Sequence, residues 1–519
     1  MSDELRRARE IGSRMMAERS KREAAWREAR KWICPWRGRF TGDEDLYDRG
    51  PEELALFTGA ASQSVIRGAS GITSGMTPRN ISWFKPAFAD DILMEASGAR
   101  RWLDELDLRM KDCLARGGFY QAIQNFNTDL LWAGCALLYA ERDGGGMRYE
   151  SIQIGTFCVS LDKDSMPEAV YRTFNLTISE AARIFGRERL SEAAANKLSG
   201  DPFATIEINH FVMAEEGKIK SLWFETNSGE KILRKSFYYE MPYFFASWND
   251  GATPYGTGPG DECLADARQM DLLERHKLAG LGRLADPPVV AHPSLKDAVD
   301  LEPGGITWAN ENMRIQPLLD LSPYAQAMRW LQEEIQVVRQ RLDQGLMASI
   351  FASIPLDQRP RDMSATEFLE RKREALQQLG PVISAYEPRA LIPCLFRTLN
   401  TLDRSGMIPP PPDNLKGFNL PMKIEFVSPL ANALRQTGAE TARALFQSAS
   451  EIYQATQMPE VFDKVDMDQL IDELASGLGA PGSIVRSDEE VAQIRERRQR
   501  EQQALQEQAL AAQIAQGGK

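Results

Sequence analysis

Histidine is scarce in this chain: three in 519 residues, at His210, His276 and His292, far apart and in different predicted elements. That scarcity leaves no ready constellation for a histidine metal site or a Ser-His-Asp triad, both of which need converging side chains. The six cysteines stand singly at positions 34, 113, 135, 158, 263 and 394, with no CxxC pair. Zinc frameworks and disulfide scaffolds use paired spacings, so these thiols read as small buried hydrophobes in a reducing compartment. No apolar run is long enough to span a bilayer, and the opening Met1-Ser-Asp-Glu-Leu-Arg-Arg7 lacks the apolar core of a signal peptide. The expectation is a protein neither exported by a signal peptide nor membrane-spanning. In that setting the acceptor-like triplets Asn80-Ile-Ser82 and Asn175-Leu-Thr177 carry no glycosylation meaning.

Basic residues are in deficit too, with 62 Lys and Arg against 74 Asp and Glu and a formal net charge of -12. Tight, static nucleic-acid binding draws its affinity from Lys and Arg neutralising phosphates, so this balance argues against it. A surface past which DNA slides has the opposite requirement, and acidity suits it. No GxxxxGK[ST] element is present, which argues against a P-loop ATPase. Gly256-Thr-Gly258-Pro-Gly260 precedes a helical stretch, but its spacing is not GxGxxG, a proline interrupts it and no βαβ pattern surrounds it. It reads as a turn that positions a helix. Asp463, Asp466, Asp468 and Asp472 lack the glycine and terminal glutamate of a calcium loop and read as helix-capping acids. The sequence thus nominates no catalytic residue, no metal ligand and no cofactor.

What is present is a soluble globular composition, 43% hydrophobic and 26% charged, in a chain long enough for two or more domains. Residues 2–33 form a charge-laced helix that ends at Cys34-Pro35. The nearby Trp26, Trp32, Trp36 and Phe40 either dock on the chain's own domain or meet a partner. Residues 62–75 read as a closely packed helix, and further helices fall within 90–116 and 119–132. Strands follow over 136–174, two short helices after Thr177, and more strands between 205 and 247. The front half is therefore α+β.

Residues 256–380 organise the rest. A helix over 261–284 is stopped by Asp286-Pro-Pro288, and a small β module follows within 289–319. Ser322-Pro323 restarts a helix, as N-cap and first-turn proline. In it Tyr324, Met328, Leu331, Ile335, Val338 and Leu342 recur at steps of four and three, one narrow apolar seam that wants a neighbouring helix. An ordinary hairpin of core helices has the same periodicity. Gly345 ends this helix, and the loop 346–363 carries Ile350, Phe351 and Ile354 ahead of Arg359 and Arg361. Ser364-Ala-Thr-Glu367 is a capping box for a third helix. Helix resumes to Ser405-Gly406, Pro409-Pro-Pro-Pro412 makes a stiff break, and a strand over 422–427 leads to helices at 431–456 and 466–478. A second capping box, Ser487-Asp-Glu-Glu490, opens a polar helix to Gln516 that is either a solvated tail or ordered only among neighbours.

The succession Ala69-Ser-Gly-Ile-Thr-Ser-Gly-Met-Thr-Pro-Arg-Asn-Ile-Ser-Trp-Phe84, Pro254-Tyr-Gly-Thr-Gly258, Asp286-Pro-Pro288, Pro303-Gly-Gly305, Ser364-Ala-Thr-Glu-Phe368 and Val427-Ser-Pro-Leu430 resembles the portal proteins of tailed bacteriophages, the head-to-tail connectors of short-tailed phages. The resemblance implies an α+β, multi-lobed subunit: a wing over 1–254, a stem helix over 255–284, a clip over 285–321, a second stem helix over 322–345, a tunnel loop over 346–363, more wing over 364–428 and a helical crown and tail over 429–519. It implies a homo-oligomeric ring, twelve-fold in the family, at one capsid vertex, with Phe351, Arg359 and Arg361 as channel candidates facing DNA. The implied partners are double-stranded DNA read without sequence specificity, the terminase packaging motor, tail adaptors, and capsid and scaffolding proteins. The location is the head-tail junction of the virion, after assembly in host cytoplasm. The alternative is an intracellular carboxylate-based hydrolase or nuclease whose site carries no recognised motif.

Overall fold

A computed structural model gives the architecture. A few isolated positions aside, it describes residues 3–40, 56–90, 93–285, 289–290, 316–317, 321–349, 386–416, 420–427 and short stretches between 446 and 503. In chain order the elements begin with α1 (Asp3–Trp32), α2 (Ala60–Met76), β1 (Phe84–Phe88), α3 (Ala99–Arg116) and α4 (Phe119–Ala133). Strands β2 (Cys135–Asp143), β3 (Gly146–Ile152), β4 (Phe157–Leu161) and β5 (Pro167–Thr177) come next, then α5 (Ile178–Phe185) and α6 (Glu192–Lys197). They are followed by β6 (Thr205–Glu215), β7 (Lys218–Glu225), β8 (Ile232–Tyr238), β9 (Tyr243–Ser247), α7 (Pro259–Glu262) and α8 (Leu264–Ala285). The last are β10 (Val289–Val290), β11 (Gln316–Pro317), α9 (Leu321–Gly345), α10 (Ile392–Arg404) and β12 (Met422–Phe426). The chain is a mixture of helix and sheet, and it divides into two compact units, residues 1–74 with 114–401, and 75–113 with 402–519.

The first unit holds two antiparallel sheets, a three-stranded one in the order β3-β2-β9 and a five-stranded one in the order β4-β5-β6-β7-β8. Strand alternation puts Phe211, Leu222 and Phe224 on one face of the larger sheet and Ile208 and Trp223 on the other. Helix α1 covers the first face. Its buried residues Leu5, Ala8, Gly12, Met15, Arg19, Trp26 and Ala29 recur at steps of three, four and once seven, a stripe narrow enough to hide among the charges around it. Gly12 is glycine for want of room, since a Cβ there would lie 2.4 Å from the Tyr171 ring. The short helices α5 and α6 and the link between them cover the opposite face through Ile178, Ala181, Phe185, Leu190 and Ala194. Each begins at a side-chain cap, Thr177 accepting from Glu180 N and Ser191 accepting from Ala194 N.

Of the four aromatics near the end of α1, two are core and two are not: Trp26 and Phe40 are buried, Trp32 is half-buried and Trp36 is exposed. Trp26 donates from Nε1 to the Ala133 carbonyl at 2.8 Å and meets Tyr255 edge-on at 5.2 Å. Beyond the helix, Arg37 grips the fully buried Asp129 of α4 with two nitrogens, Nε to Oδ1 at 2.9 Å and Nη2 to Oδ2. Trp132 Nε1 donates to the same carboxylate at 2.9 Å.

In the second unit β1 pairs antiparallel with β12, Phe84 opposite Phe426 and Phe88 opposite Met422. Trp83 stacks on Phe426 at 6.2 Å, and Phe88 lies parallel to Trp102 of α3 at 5.8 Å. Trp102 Nε1 donates to the Pro409 carbonyl at 2.9 Å, which anchors the start of the proline run. The sequence shows the strand over 422–427; it does not show β1, whose Phe-Lys-Pro-Ala-Phe holds a proline.

Candidate functional site

The site built by the organising stretch is the helix pair α8 and α9 in the first unit. The turn before it is set by backbone proximity. A Cβ on Gly258 would lie 2.4 Å from Gly134 Cα, and one on Gly260 would lie 2.1 Å from the Trp132 carbonyl oxygen. Those glycines let the start of α7 seat on the end of α4, where Gly134 closes the helix at φ 79° with its N–H bonded to Leu130 O. Asp261 Oδ2 accepts from Gly258 N at 3.0 Å and is held in turn by Arg22 Nη2 of α1, at 2.9 and 2.7 Å from its two oxygens. Asp250, in the same turn, takes both terminal nitrogens of Arg389 at 2.7 and 2.8 Å. The hydrogen-bonded guanidinium holds its carboxyl below the usual carboxylate range. The glycines serve packing, as the sequence reading of this stretch has it.

The predicted helix over 261–284 is two helices in the structure, a single turn α7 and then α8. The second helix starts one residue before Ser322, which places Ser322 inside α9 instead of at its N-cap. Gly345, the last residue of α9, lies against Cys263, which joins α7 to α8. Arg341 pairs with Asp266 at 3.6 Å, and Gln269 Nε2 donates to Glu334 at 3.2 Å. Rising numbers on α8 thus meet falling numbers on α9, so the helices run antiparallel. Helix α2 braces the junction: Ser64 donates to Asp343 at 2.5 Å, Arg67 reaches it at 3.2 Å, and a Cβ on Gly68 would lie 2.2 Å from the Leu346 carbonyl oxygen.

Along the seam, burial is graded. Ile335, Val338 and Leu342 are buried, Met328 and Leu331 are half-buried, and the side chain of Tyr324 lies outside the described residues. Both helices also present apolar side chains to solvent, Leu272, Leu278 and Leu281 on α8 and Trp330 and Val337 on α9, exposed by 42% to 63%. Trp330, Glu333, Val337 and Gln340 fall on one stripe of α9, on a different face from the buried seam. Phe351, Arg359 and Arg361 lie outside the described residues, as do the third-helix capping box, His292 and most of residues 285–321 and 429–519.

Groups with chemical potential elsewhere are occupied structurally. All six thiols are buried and none is in a disulfide; burial pushes the Cys158 thiol up to about 11 and that of Cys263 up to about 12, so they stay protonated. His210 is fully buried, its Nδ1 2.7 Å from Tyr243 Oη and its Nε2 2.9 Å from Ser221 Oγ, and its ring stacks on Trp223 at 3.7 Å. Burial, with Arg172 and Arg234 nearby, holds its pKa well below the usual histidine range. His276 is exposed on α8. Asp468 takes both terminal nitrogens of Arg495 at 2.7 Å, while Asp463, Asp466 and Asp472 lie outside the described residues. Among the described residues no group of three or more His, Cys, Asp or Glu is arranged to hold a metal ion, and no helix is long and apolar enough to cross a membrane.

Comparison with known proteins matches residues 5–485 to the family model described as bacteriophage head to tail connecting protein. The chain is 28% identical over 524 residues to the portal protein of Salmonella phage epsilon15, covering 97% of this chain and 92% of that one. It is 26% identical over 520 residues to the probable portal protein of Bordetella phage BPP-1, covering 96% and 91%. Among solved structures, a chain from the neck of a native GTA particle computed with C12 symmetry aligns with a TM-score of 0.34 at 11% identity, over 76% of this chain and 91% of that one.

Proposed function

The chain belongs to the family of bacteriophage head to tail connecting proteins, and on that premise we propose how it performs the portal role at the head-to-tail junction of a phage particle. Its subunits close into a ring at one capsid vertex, twelve in number as the resemblance implies, and double-stranded DNA passes through the ring into the head during packaging and out of it during ejection. In this reading residues 255–284, which α7 and α8 largely fill, and residues 322–345, which α9 fills, are the stem, and residues 285–321 are the clip that meets the terminase and later the tail adaptor. Residues 1–254 and 364–428 supply the wing, 346–363 the tunnel loop and 429–519 the crown. Assembly takes place in host cytoplasm with capsid and scaffolding proteins. The chain contributes geometry and a path, and catalysis is left to its partners.

The observation that carries the ring is the exposed apolar side chains on both helices of the antiparallel pair α8 and α9. A ring of identical subunits needs two different surfaces on each, one to give and one to receive. Leu272, Leu278 and Leu281 on α8, and Trp330 and Val337 on α9, supply exposed apolar area on two helices at once. On α9 Trp330 and Val337 share one stripe, and apolar side chains grouped on an exposed face are the mark of an interaction surface. The net charge of -12 supports a conduit that duplex slides past, with Arg359 and Arg361 touching phosphates only.

The deciding experiment is the mass and image of the purified native protein. Uniform closed rings in electron micrographs, with one dominant mass, are expected. A population that stays monomeric or dimeric at micromolar concentration would sink the reading, as would a nuclease activity that depends on divalent metal.

A further inference from the structure

Apart from the helix pair, the first unit has a half-open cavity of about 300 Å³ between α1, residues 39–40, residues 155–156 and the strands β5 and β6. That is the lower end of the size range in which small ligands are held. Two guanidinium groups line it, and they are in different states. Arg19 is buried, donating from Nη1 to the Gly155 carbonyl at 2.6 Å, with Nη2 3.7 Å from Glu23. Arg39 is half-buried, and among the described residues its guanidinium has neither a hydrogen bond nor an ion pair. A guanidinium at a cavity wall with no protein partner keeps all its donors free for an acceptor that enters.

The rest of the wall favours an acceptor. Thr173 donates to Asn209 Oδ1 at 2.8 Å, and Asn209 Nδ2 donates to Thr226 Oγ1 at 2.7 Å. This chain fixes the buried amide and leaves the Thr226 hydroxyl proton to give. Glu207 is the one carboxylate lining the cavity and Glu23 pairs with Arg19 at 3.7 Å, so among the described residues Arg39 is the lining cation without a counter-charge of its own. A single negative charge pairs with Arg39; a phosphate monoester, with about -1.5 to -2, overshoots it beside Glu207. Met16, Phe40 and Phe174 provide apolar wall for the body that carries the charge.

We propose that this cavity binds a small carboxylate on an apolar or aromatic body, supplied as a free molecule or as an acidic side chain of a neighbouring copy of the chain. Arg39 pairs with the carboxylate, Thr226 donates the second hydrogen bond and the buried Arg19 adds charge from behind. Occupancy ties α1 to the sheet it covers.

The test uses the full chain and 4-fluorobenzoate observed by fluorine NMR, with 4-fluorobenzylamine and 4-fluorophenyl phosphate as counter-probes. Saturable binding of the benzoate, absent for the amine and weaker for the phosphate, is expected. Arg39→Gln should weaken the benzoate about tenfold or more, the loss of a charge-assisted pair, while leaving the melting temperature of the unliganded chain unchanged. Thr226→Val should weaken it by a smaller factor. Equal binding by subunits and by any assembled form identifies a free ligand, whereas binding by subunits alone identifies a neighbour's acid. No saturable binding, a preference for the phosphate, or wild-type affinity in Arg39→Gln would each overturn the proposal.

Discussion

The buried imidazole of His210 makes the sharpest residue-scale prediction. Folding places it between Tyr243, Ser221 and Trp223, with Arg172 and Arg234 as the nearby cations, and its pKa falls well below the usual value. In the unfolded chain the same ring titrates near pH 6.5, or about that. Below that pH the unfolded state binds the extra proton and the folded state does not, so stability is fully present above about pH 6.5 and is lost as the pH falls, by at most about 1.4 kcal/mol per pH unit. Urea midpoints measured between about pH 7.5 and pH 5.5 should fall for the wild type. His210→Gln should start lower and fall less. A parallel decline in both proteins would assign the effect to other groups.

Elements differ in how far sequence specifies them. The start of α5 after Thr177 is legible because a cap is local chemistry, and in the structure the Thr177 side chain accepts from Glu180 N. The strands of the larger sheet are legible from alternation, since one strand presents two faces with a period of two. The covered face of α1 is not, because its stripe is built of Leu5, Ala8, Gly12, Met15 and Arg19, a set with little hydrophobic signal. The seam of α9 is legible in its spacing but not in its grading, because Met328 and Leu331 are left half-buried by what they fail to meet elsewhere in the fold. The cavity beside Arg39 has no sequence signature at all, since its lining comes from six separate stretches of the chain. The turn glycines allow a matched pair of tests by thermal unfolding. Gly258 has φ -148°, which any residue adopts, so Gly258→Ala should destabilise through the clash with Gly134 alone, by about 1–3 kcal/mol. Gly282 in α8 has open space around it, and Gly282→Ala should stabilise by about 0.5–1 kcal/mol.

At the scale of the whole molecule, subunit stability and ring assembly should separate. Trp330→Glu with Val337→Glu alters exposed positions, so the subunit's melting temperature should barely move while the fraction of protein in rings drops sharply. Val338→Asp, at a fully buried position, should lose both. Rings formed at wild-type yield by the double variant would remove the helix-pair faces from the interface. Arg359→Ala with Arg361→Ala should change the DNA packaged per particle in a way that depends on ionic strength, with thermal unfolding of the purified protein unchanged; no change at low salt would discard those arginines as phosphate contacts. The β1–β12 pair described above also sets a clock. Phe84 finds its partner only when Phe426 has been made, and at about 5–20 residues per second the ribosome takes on the order of tens of seconds to supply it. For that interval Trp83, Phe84 and Phe88 emerge into the cell without the strand that will bury them, and the loop to be closed is among the longest the chain allows. The second unit is therefore finished after the first, and its quality depends on what shelters a few aromatic residues while translation runs to its end.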